Sequence, residues 1–230
     1  MSADDLTQKL KALRDKRGYL LPHHGLLALT APPLLEAYDA AYTALALDDR
    51  VLSHHDREFV WLGILIATDE EIATHHIAKF RAAGGTDDEI RAAVSLTATV
   101  CGFRAYHFAS HDWAAHLKTL DLRADWNRAV LAAGQGAEPR LCHLAACAIQ
   151  VCNGQWNGLR WQLGHAYAAS VPEDELAEAI SLTMFPGSVP YFVTAAGIWK
   201  DMIAAGDLSA SDAFRIWADM PGQGGHGSDD

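Results

Sequence analysis

Apolar residues recur at every third or fourth position along most of the chain, with charged residues between them. This spacing is typical of amphipathic α-helices. Ser53 with Asp56, and Thr86 with Glu89, have the capping-box pattern of helix starts. One helix should run through residues 75 and 76 and stop at the glycines that follow, and a short one should begin near 209. The other predicted helices span about 30–47, 54–67, 87–100, 104–119, 123–133, 139–152, 156–169, 172–183 and 190–205. The pattern predicts an all-α protein.

Two stretches of the chain resemble each other. Residues 86–103 (TDDEIRAAVSLTATVCGF) align without gaps with residues 172–189 (PEDELAEAISLTMFPGSV) at a shift of 86, which also places Trp113 on Trp199. A repeated helical hairpin cannot bury its apolar face alone, so we expect two copies packed as one compact helical bundle. The predicted division is a first unit with N-terminal helices over 1–121, a degenerate second unit over 122–220 and a flexible tail over 221–230.

Composition narrows the range of partners. The chain has 230 residues and a formal net charge of −11, from 18 basic and 29 acidic residues. Nucleic-acid surfaces need clustered lysine and arginine, so we expect no nucleic-acid partner. No apolar run reaches the roughly 20 residues of a transmembrane helix, and the N-terminus lacks the apolar core of a signal peptide. We therefore expect no membrane partner and a cytoplasmic location.

The cysteines do not form a reactive motif. They are Cys101, Cys142, Cys147 and Cys152, and none of their spacings is the CxxC of zinc or dithiol sites. The last three are spaced by five residues and do not share a helical face. We expect reduced thiols, buried and chemically inert.

A series of elements in the first half indicates a family. An Arg-Glu pair opens an apolar helix, a histidine is followed eight residues later by glycine, and a threonine with an acidic pair precedes isoleucine. These elements are Arg57, Glu58, His76, Gly84, Thr86, Asp88, Glu89 and Ile90. In this order the chain resembles the carboxymuconolactone decarboxylase and alkylhydroperoxidase D superfamily, over about residues 32–205. The second unit resembles it again and ends in PGSVPYFVTAAGIWKDMI. The resemblance implies a tandem copy of that family's helical unit and a homo-oligomer.

The chain departs from the family at the reactive positions. The peroxidase branch uses CxxCxxxH, and with His76 as its histidine the two thiols would fall at Asp69 and Ile72. The second unit has Gln155, Gly158 and Gln162 at these positions. Without a thiolate there is no disulfide cycle of that type, which argues against a thiol peroxidase. Arg104 stands where the family's GxP segment has proline, so the decarboxylase pattern is altered too.

His76 is the first candidate for catalysis. An imidazole gives or takes a proton near neutral pH, which suits protonation of a dienolate carbon after carbon dioxide leaves. On one continuous helix it would lie in line with Ile72 and Asp69. Glu71 is a candidate to orient or deprotonate it, and Asp69 a candidate to bind substrate. The alternatives are a core histidine at 76 and a solvated helix start at the two acids.

Cationic and aromatic residues complete the candidate site. Arg57 and Arg104 could hold a substrate carboxylate, because a guanidinium forks onto a carboxylate. His107 and His111 share a helical face and could line the pocket, His107 as a second proton-transfer group and His111 in substrate binding; a bound metal is the alternative. Trp61 is a candidate pocket wall. Four further histidines are assigned to structural or surface positions, in a loop or a helix cap: His23, His24, His54 and His55.

The leading functional hypothesis is a cofactor-independent enzyme of the carboxymuconolactone decarboxylase type. It would act on a small anionic ring-cleavage product of aromatic catabolism, a carboxylated lactone or keto acid, by decarboxylation or by isomerisation through the same dienolate. The first unit would carry the chemistry and the second would scaffold the pocket, with neither a cofactor nor a metal expected. The alternative is a non-catalytic binding or assembly protein on the same fold.

Overall fold

The described chain divides into two compact units. The computed structural model describes residues 3–225. The smaller unit contains the described residues up to Asp49 together with Ile72–His75, and the larger contains Arg50–Glu71 and the residues from His76 onward. The repeat boundary at residue 121 stays a prediction, and the last five residues of the predicted flexible tail lie outside the described residues.

The smaller unit is built from short helices. They are α1 (Ala3–Arg17), α2 (Pro22–Thr30), α3 (Pro32–Tyr42) and a π-helical turn (Thr43–Leu47). Leu13, Ala28 and Leu35 form its apolar core. Beside that core the buried Arg17 donates two hydrogen bonds to Oδ1 of Asp39, at 2.9 and 2.6 Å.

The prediction that His23 and His24 lie in a loop is wrong, because both belong to α2. Pro22 supplies the first helical position there, and the Nδ1 atom of His24 accepts a hydrogen bond from the backbone N–H of Leu21 at 3.0 Å. His24 is fully buried, and burial lowers its pKa to about 4. It is a structural histidine of the smaller unit.

The helices that follow Asp49 agree closely with the sequence pattern. They are α4 (His54–Ala67), α5 (His75–Ala82), α6 (Asp87–Cys101), α7 (Phe103–His111), α8 (Leu122–Ala133), α9 (Pro139–Cys152), α10 (Trp156–Ala168), α11 (Glu173–Ser181), α12 (Val189–Ala204) and α13 (Asp212–Asp219). The Thr86–Glu89 capping box forms as predicted, with both reciprocal hydrogen bonds. Within residues 3–225 the structure contains no β-strand, and the prediction of an all-α fold is confirmed.

Helices α4 and α9 form the centre of the larger unit. Helix α4 packs on α6 and α9, and α9 also packs on α10 and α11. The two central helices approach closely at Gly63, where an added Cβ would lie 3.1 Å from Cδ1 of Ile149. Every residue of α9 from Leu141 to Val151 is buried, so this helix is the core of the unit.

The order of helices repeats along the larger unit. A shift of 86 residues moves α4 to 140–153, α6 to 173–187 and α7 to 189–197, onto the observed α9, α11 and α12. The same shift brings α5 onto α10 and α8 onto α13. A tandem duplication would give rise to this order of helices. The duplication itself stays a prediction.

One helix is shorter than predicted. Helix α7 ends at His111 and not near 119, and turns occupy most of the chain up to Leu122. Trp113 lies in these turns, with half of its surface exposed and its ring 5.1 Å from that of Phe108. Among the described residues, no helix combines the length and the apolar character needed to cross a bilayer.

Candidate functional site

Helix α4 carries two charged residues into the core. The Oγ atom of Ser53 accepts a hydrogen bond from the backbone N–H of Asp56 and starts the helix there. Arg57 and Glu58 follow in the first turns and are 1% and 4% exposed. A buried charge is costly unless it is paired and hydrogen-bonded, so both side chains require partners.

Glu58 is paired with His76. Its Oε2 atom lies 2.6 Å from Nδ1 of His76, and the side chains are 5% and 4% exposed. The indole of Trp61, one turn after Glu58, lies against the imidazole with ring centroids 4.9 Å apart. The structure therefore brings together the predicted residues His76 and Trp61 and adds a carboxylate to them.

This arrangement determines how the imidazole can react. An ionised carboxylate only accepts hydrogen bonds, so it favours the tautomer that carries a proton on Nδ1. Acid–base chemistry would then use Nε2, and the carboxylate would stabilise the imidazolium that forms. The same division of roles is found in carboxylate–histidine catalytic pairs.

Arg57, predicted to bind a substrate carboxylate, already contacts a carboxylate of the protein. Its Nε atom donates to Oε1 of Glu178 at 3.0 Å, and both side chains are 1% exposed. The other oxygen of Glu178 accepts the backbone N–H groups of Val51 and Leu52, at 2.7 and 2.9 Å. Glu178 thus links α11 to the start of α4, and a role for Arg57 in substrate binding stays a prediction.

The predicted helix through Asp69, Ile72 and His76 is wrong. Helix α4 ends at Ala67 and α5 begins at His75, with turns between them. Asp69 has a φ of 54°, a left-handed conformation that interrupts the helix. Asp69 and Glu71 are exposed, as the alternative interpretation predicts, but they lie in turns and do not start a helix. Their roles in binding and catalysis stay predictions.

Three other candidates lie on α7. The rings of His107 and His111 stack at 5.8 Å, as their spacing predicts, and Nε2 of His107 lies 2.6 Å from Nδ2 of Asn157. Arg104 and His111 are exposed and His107 is half-buried. Over the described residues, no group of three or more His, Cys, Asp and Glu side chains is placed to hold a metal ion.

The corresponding place in the second half of the larger unit has different chemistry. At the shift of 86 residues, Leu144 and Gln162 stand for Glu58 and His76. Gln162 is fully buried and contacts two side chains, with Nε2 2.8 Å from Nδ1 of His143 and Oε1 accepting the Trp126 indole N–H at 3.2 Å. Burial lowers the pKa of His143 to about 4, so this histidine is neutral at pH 7.

Burial makes three of the four thiols poorly reactive, whereas the prediction that the cysteines are buried is wrong for Cys101. Burial raises the pKa of Cys142 to about 11, that of Cys152 to about 12, and that of Cys147 well above its ordinary value. Cys101 is exposed, and no disulfide joins the four cysteines. Since thiolates are the reactive form, the buried cysteines are poor nucleophiles.

Sequence reasoning missed Glu58 and Glu178 as parts of the site. Glu58 was recognised as an element of the family pattern but not as the partner of His76. A signal was available, because an Arg-Glu pair at the start of an apolar helix implies two buried charges that need partners. Glu178 comes from a helix far along the chain, and nothing in its local sequence pairs it with Arg57.

Comparison with known families bears directly on this region. The family model described as "Carboxymuconolactone decarboxylase family" matches residues 32–115, a segment that includes Glu58, Trp61 and His76. No curated protein and no solved structure matches the chain. The resemblance to the carboxymuconolactone decarboxylase family is thus confirmed over residues 32–115.

Proposed function

We propose that the protein is a cofactor-independent acid–base enzyme that decarboxylates or isomerises a small carboxylated lactone or keto acid. The observation that carries this proposal is the buried 2.6 Å contact between Glu58 and His76, within the segment that matches the carboxymuconolactone decarboxylase family. A histidine held by a carboxylate in a site of low exposure is suited to proton transfer.

In the proposed decarboxylation, the bond between the substrate and its carboxylate carbon breaks and carbon dioxide leaves. The electron pair of that bond moves into the conjugated carbonyl group and gives a dienolate. The imidazolium of His76 then delivers the proton of Nε2 to the distal carbon, and the ring takes a proton from water before the next turnover. Glu58 stays ionised throughout and acts as a positioning residue. Isomerisation would use the same dienolate, with the first proton removed by the neutral imidazole.

A carboxylated substrate also needs a cationic contact. The net charge of −11 does not attract anions over long distances, so nearby cations must do so. Of the two predicted arginines, Arg104 is exposed while Arg57 contacts Glu178. We therefore propose Arg104 as the carboxylate-binding residue, with His107 and His111 on the same helix as further polar contacts.

The proposal is restricted to the first half of the larger unit. At the corresponding positions of the second half, Leu144 replaces the carboxylate and Gln162 replaces the imidazole. A carboxamide is neither an effective acid nor an effective base near neutral pH, so this half would act as a scaffold. We also propose, from the family resemblance, that the protein forms a homo-oligomer.

The experiment is a substrate panel with matched variants. Purified protein is incubated with 4-carboxymuconolactone and related lactones and keto acids, while ultraviolet absorbance and released carbon dioxide are followed. His76→Gln keeps a polar side chain but no exchangeable ring proton, and we expect kcat to fall by roughly 10² to 10⁴. Glu58→Gln should reduce kcat by at least about tenfold, because the ring loses its orienting anion. The control is His116→Gln, at an exposed histidine outside the proposed site.

Three outcomes are informative. Loss of activity in both site variants, with His116→Gln unchanged and all melting temperatures similar, supports the proposal. Equal turnover by His76→Gln and wild type rules out His76 as the acid. If wild type turns over no member of the panel, the non-catalytic binding or assembly protein becomes the better hypothesis.

A further inference from the structure

A second concave site lies between α11, α12 and α13, away from the elements that carry Glu58 and His76. It is a cleft with a volume of about 320 Å³. Four of its lining residues are aromatic: Phe192, Trp199, Phe214 and Trp217. The ring of Trp217 stands nearly perpendicular to those of Trp199 and Phe214, at 78° and 85°, so the rings form the walls of a corner and not one flat face.

The open volume of the cleft exists because the remaining lining residues are small. Ala177, Ala196 and Ala213 come from three different helices. A larger side chain at any of them would occupy the cleft. The volume is at the lower end of the range of ligand pockets, roughly 300–1,000 Å³, which corresponds to a molecule of one or two rings.

The walls of the cleft are held in place from behind. The indole N–H of Trp199 donates to the hydroxyl of Tyr167 at 2.9 Å, and that hydroxyl donates to Oε1 of Glu173 at 2.7 Å. The same carboxylate accepts the backbone N–H of Ser211, which precedes α13, at 3.2 Å. Burial and the contact with Glu173 raise the pKa of Tyr167, so its hydroxyl remains a donor. The chain of hydrogen bonds therefore preorganises α12 and α13.

The chemistry of the lining defines the class of ligand. All seven lining side chains are apolar or aromatic; their polar side-chain atoms are two indole N–H groups, and that of Trp199 is bonded to Tyr167. The single remaining N–H, on Trp217, is a neutral donor and does not compensate a full charge. A buried charge without a partner is costly, so a carboxylate or an ammonium group would be disfavoured there. We propose that this cleft binds a neutral, apolar molecule of one or two rings, which contacts the aromatic walls by edge and face.

The experiment uses prodan, a neutral fluorescent probe with two rings, titrated with the full chain. Ala196→Leu and Ala213→Leu place extra methyl groups in the cleft, and Ala213 is exposed enough for the change to be tolerated. Ala204→Leu makes the same change on α12 at an exposed position outside the cleft. We expect saturable binding to wild type, at least tenfold weaker binding to both cleft variants, and less than a twofold change in the control.

Competition then tests the ligand class. Naphthalene should displace the probe at concentrations at least tenfold below those of 2-naphthoate, which has the same rings and a carboxylate. Equal binding by cleft variants and control, or equal competition by the two compounds, overturns the proposal. The absence of probe binding to the wild type also overturns it. If light scattering then detects a dimer that Ala196→Leu dissociates, a second copy of the chain occupies the cleft instead. None of these measurements depends on decarboxylase activity.

Discussion

The buried pair of Arg57 and Glu178 provides a sharp test of the packing around the site. Glu178→Gln replaces a carboxylate that accepts one hydrogen bond from Arg57 and two from the backbone N–H groups of Val51 and Leu52. The amide retains one acceptor oxygen. The substitution removes the negative charge, so the guanidinium of Arg57 loses this anionic partner. It also places the N–H donors of the new amide against N–H donors of Arg57 or of the backbone.

The expected cost is large because both charged groups are 1% exposed. Removing one partner of a buried ion pair typically costs roughly 3–5 kcal/mol, and we expect a loss of this order in the free energy of unfolding. The matched control is Glu175→Gln on the same helix. Its partner Arg140 is a quarter exposed and also contacts Asp56, so the expected loss is about 0–1 kcal/mol.

The assay is urea denaturation followed by circular dichroism, with free energies extrapolated at constant m value. A loss below about 1 kcal/mol for Glu178→Gln, or a loss equal to that of Glu175→Gln, would refute the reasoning. Arg57→Lys separates structure from catalysis. If Arg57 binds substrate, this variant raises KM and leaves the free energy of unfolding nearly unchanged. The structural account expects a lower free energy of unfolding and an unchanged KM.

Two further predictions concern the second half of the larger unit. Burial lowers the pKa of His143 to about 4, so the unfolded chain binds more protons between pH 6.5 and 4 and stability falls as the pH decreases through this window. When the pH falls from 7 to 4.5, the free energy of unfolding of His143→Gln should decrease by about 2 kcal/mol less than that of the wild type. Equal decreases would contradict the lowered pKa of His143. In α10, Gly158→Ala would press its Cβ against the buried amide of Gln150 and should cost about 1–3 kcal/mol. Gly164→Ala on the same helix meets no atom and should stabilise it by up to about 1 kcal/mol, so equal changes at both glycines would contradict the packing.

Local signals account for most of the fold that could be predicted. Helices α4 and α6 begin where Ser53 and Thr86 predict, because a capping side chain acts within one turn of the chain. Helix α7 was predicted too long, since apolar residues continue at helical spacing after His111. There the chain turns so that Trp113 contacts Phe108, an interaction across the helix end that periodicity does not encode.

The site was predictable only in part, for the same reason. His76 was identified from chemistry and from its place in the family pattern, whereas its contact with Glu58 depends on how α5 packs against α4. The segment that contains Asp69 is rich in helix-forming residues, yet Asp69 itself has a left-handed backbone conformation. The helix is interrupted there, so Asp69 and His76 do not lie on one helical face. Composition alone does not encode that backbone angle.

The central claim is that an ionised Glu58 holds His76 with its proton on Nδ1. Long-range ¹H–¹⁵N NMR of histidine-labelled protein measures this directly, with the His76 signals assigned by their loss in His76→Gln. We predict, for neutral His76, a protonated Nδ1 and an unprotonated Nε2, and a loss of this preference in Glu58→Gln. A neutral ring protonated on Nε2 in the wild type, or an unchanged tautomer in Glu58→Gln, would contradict the account.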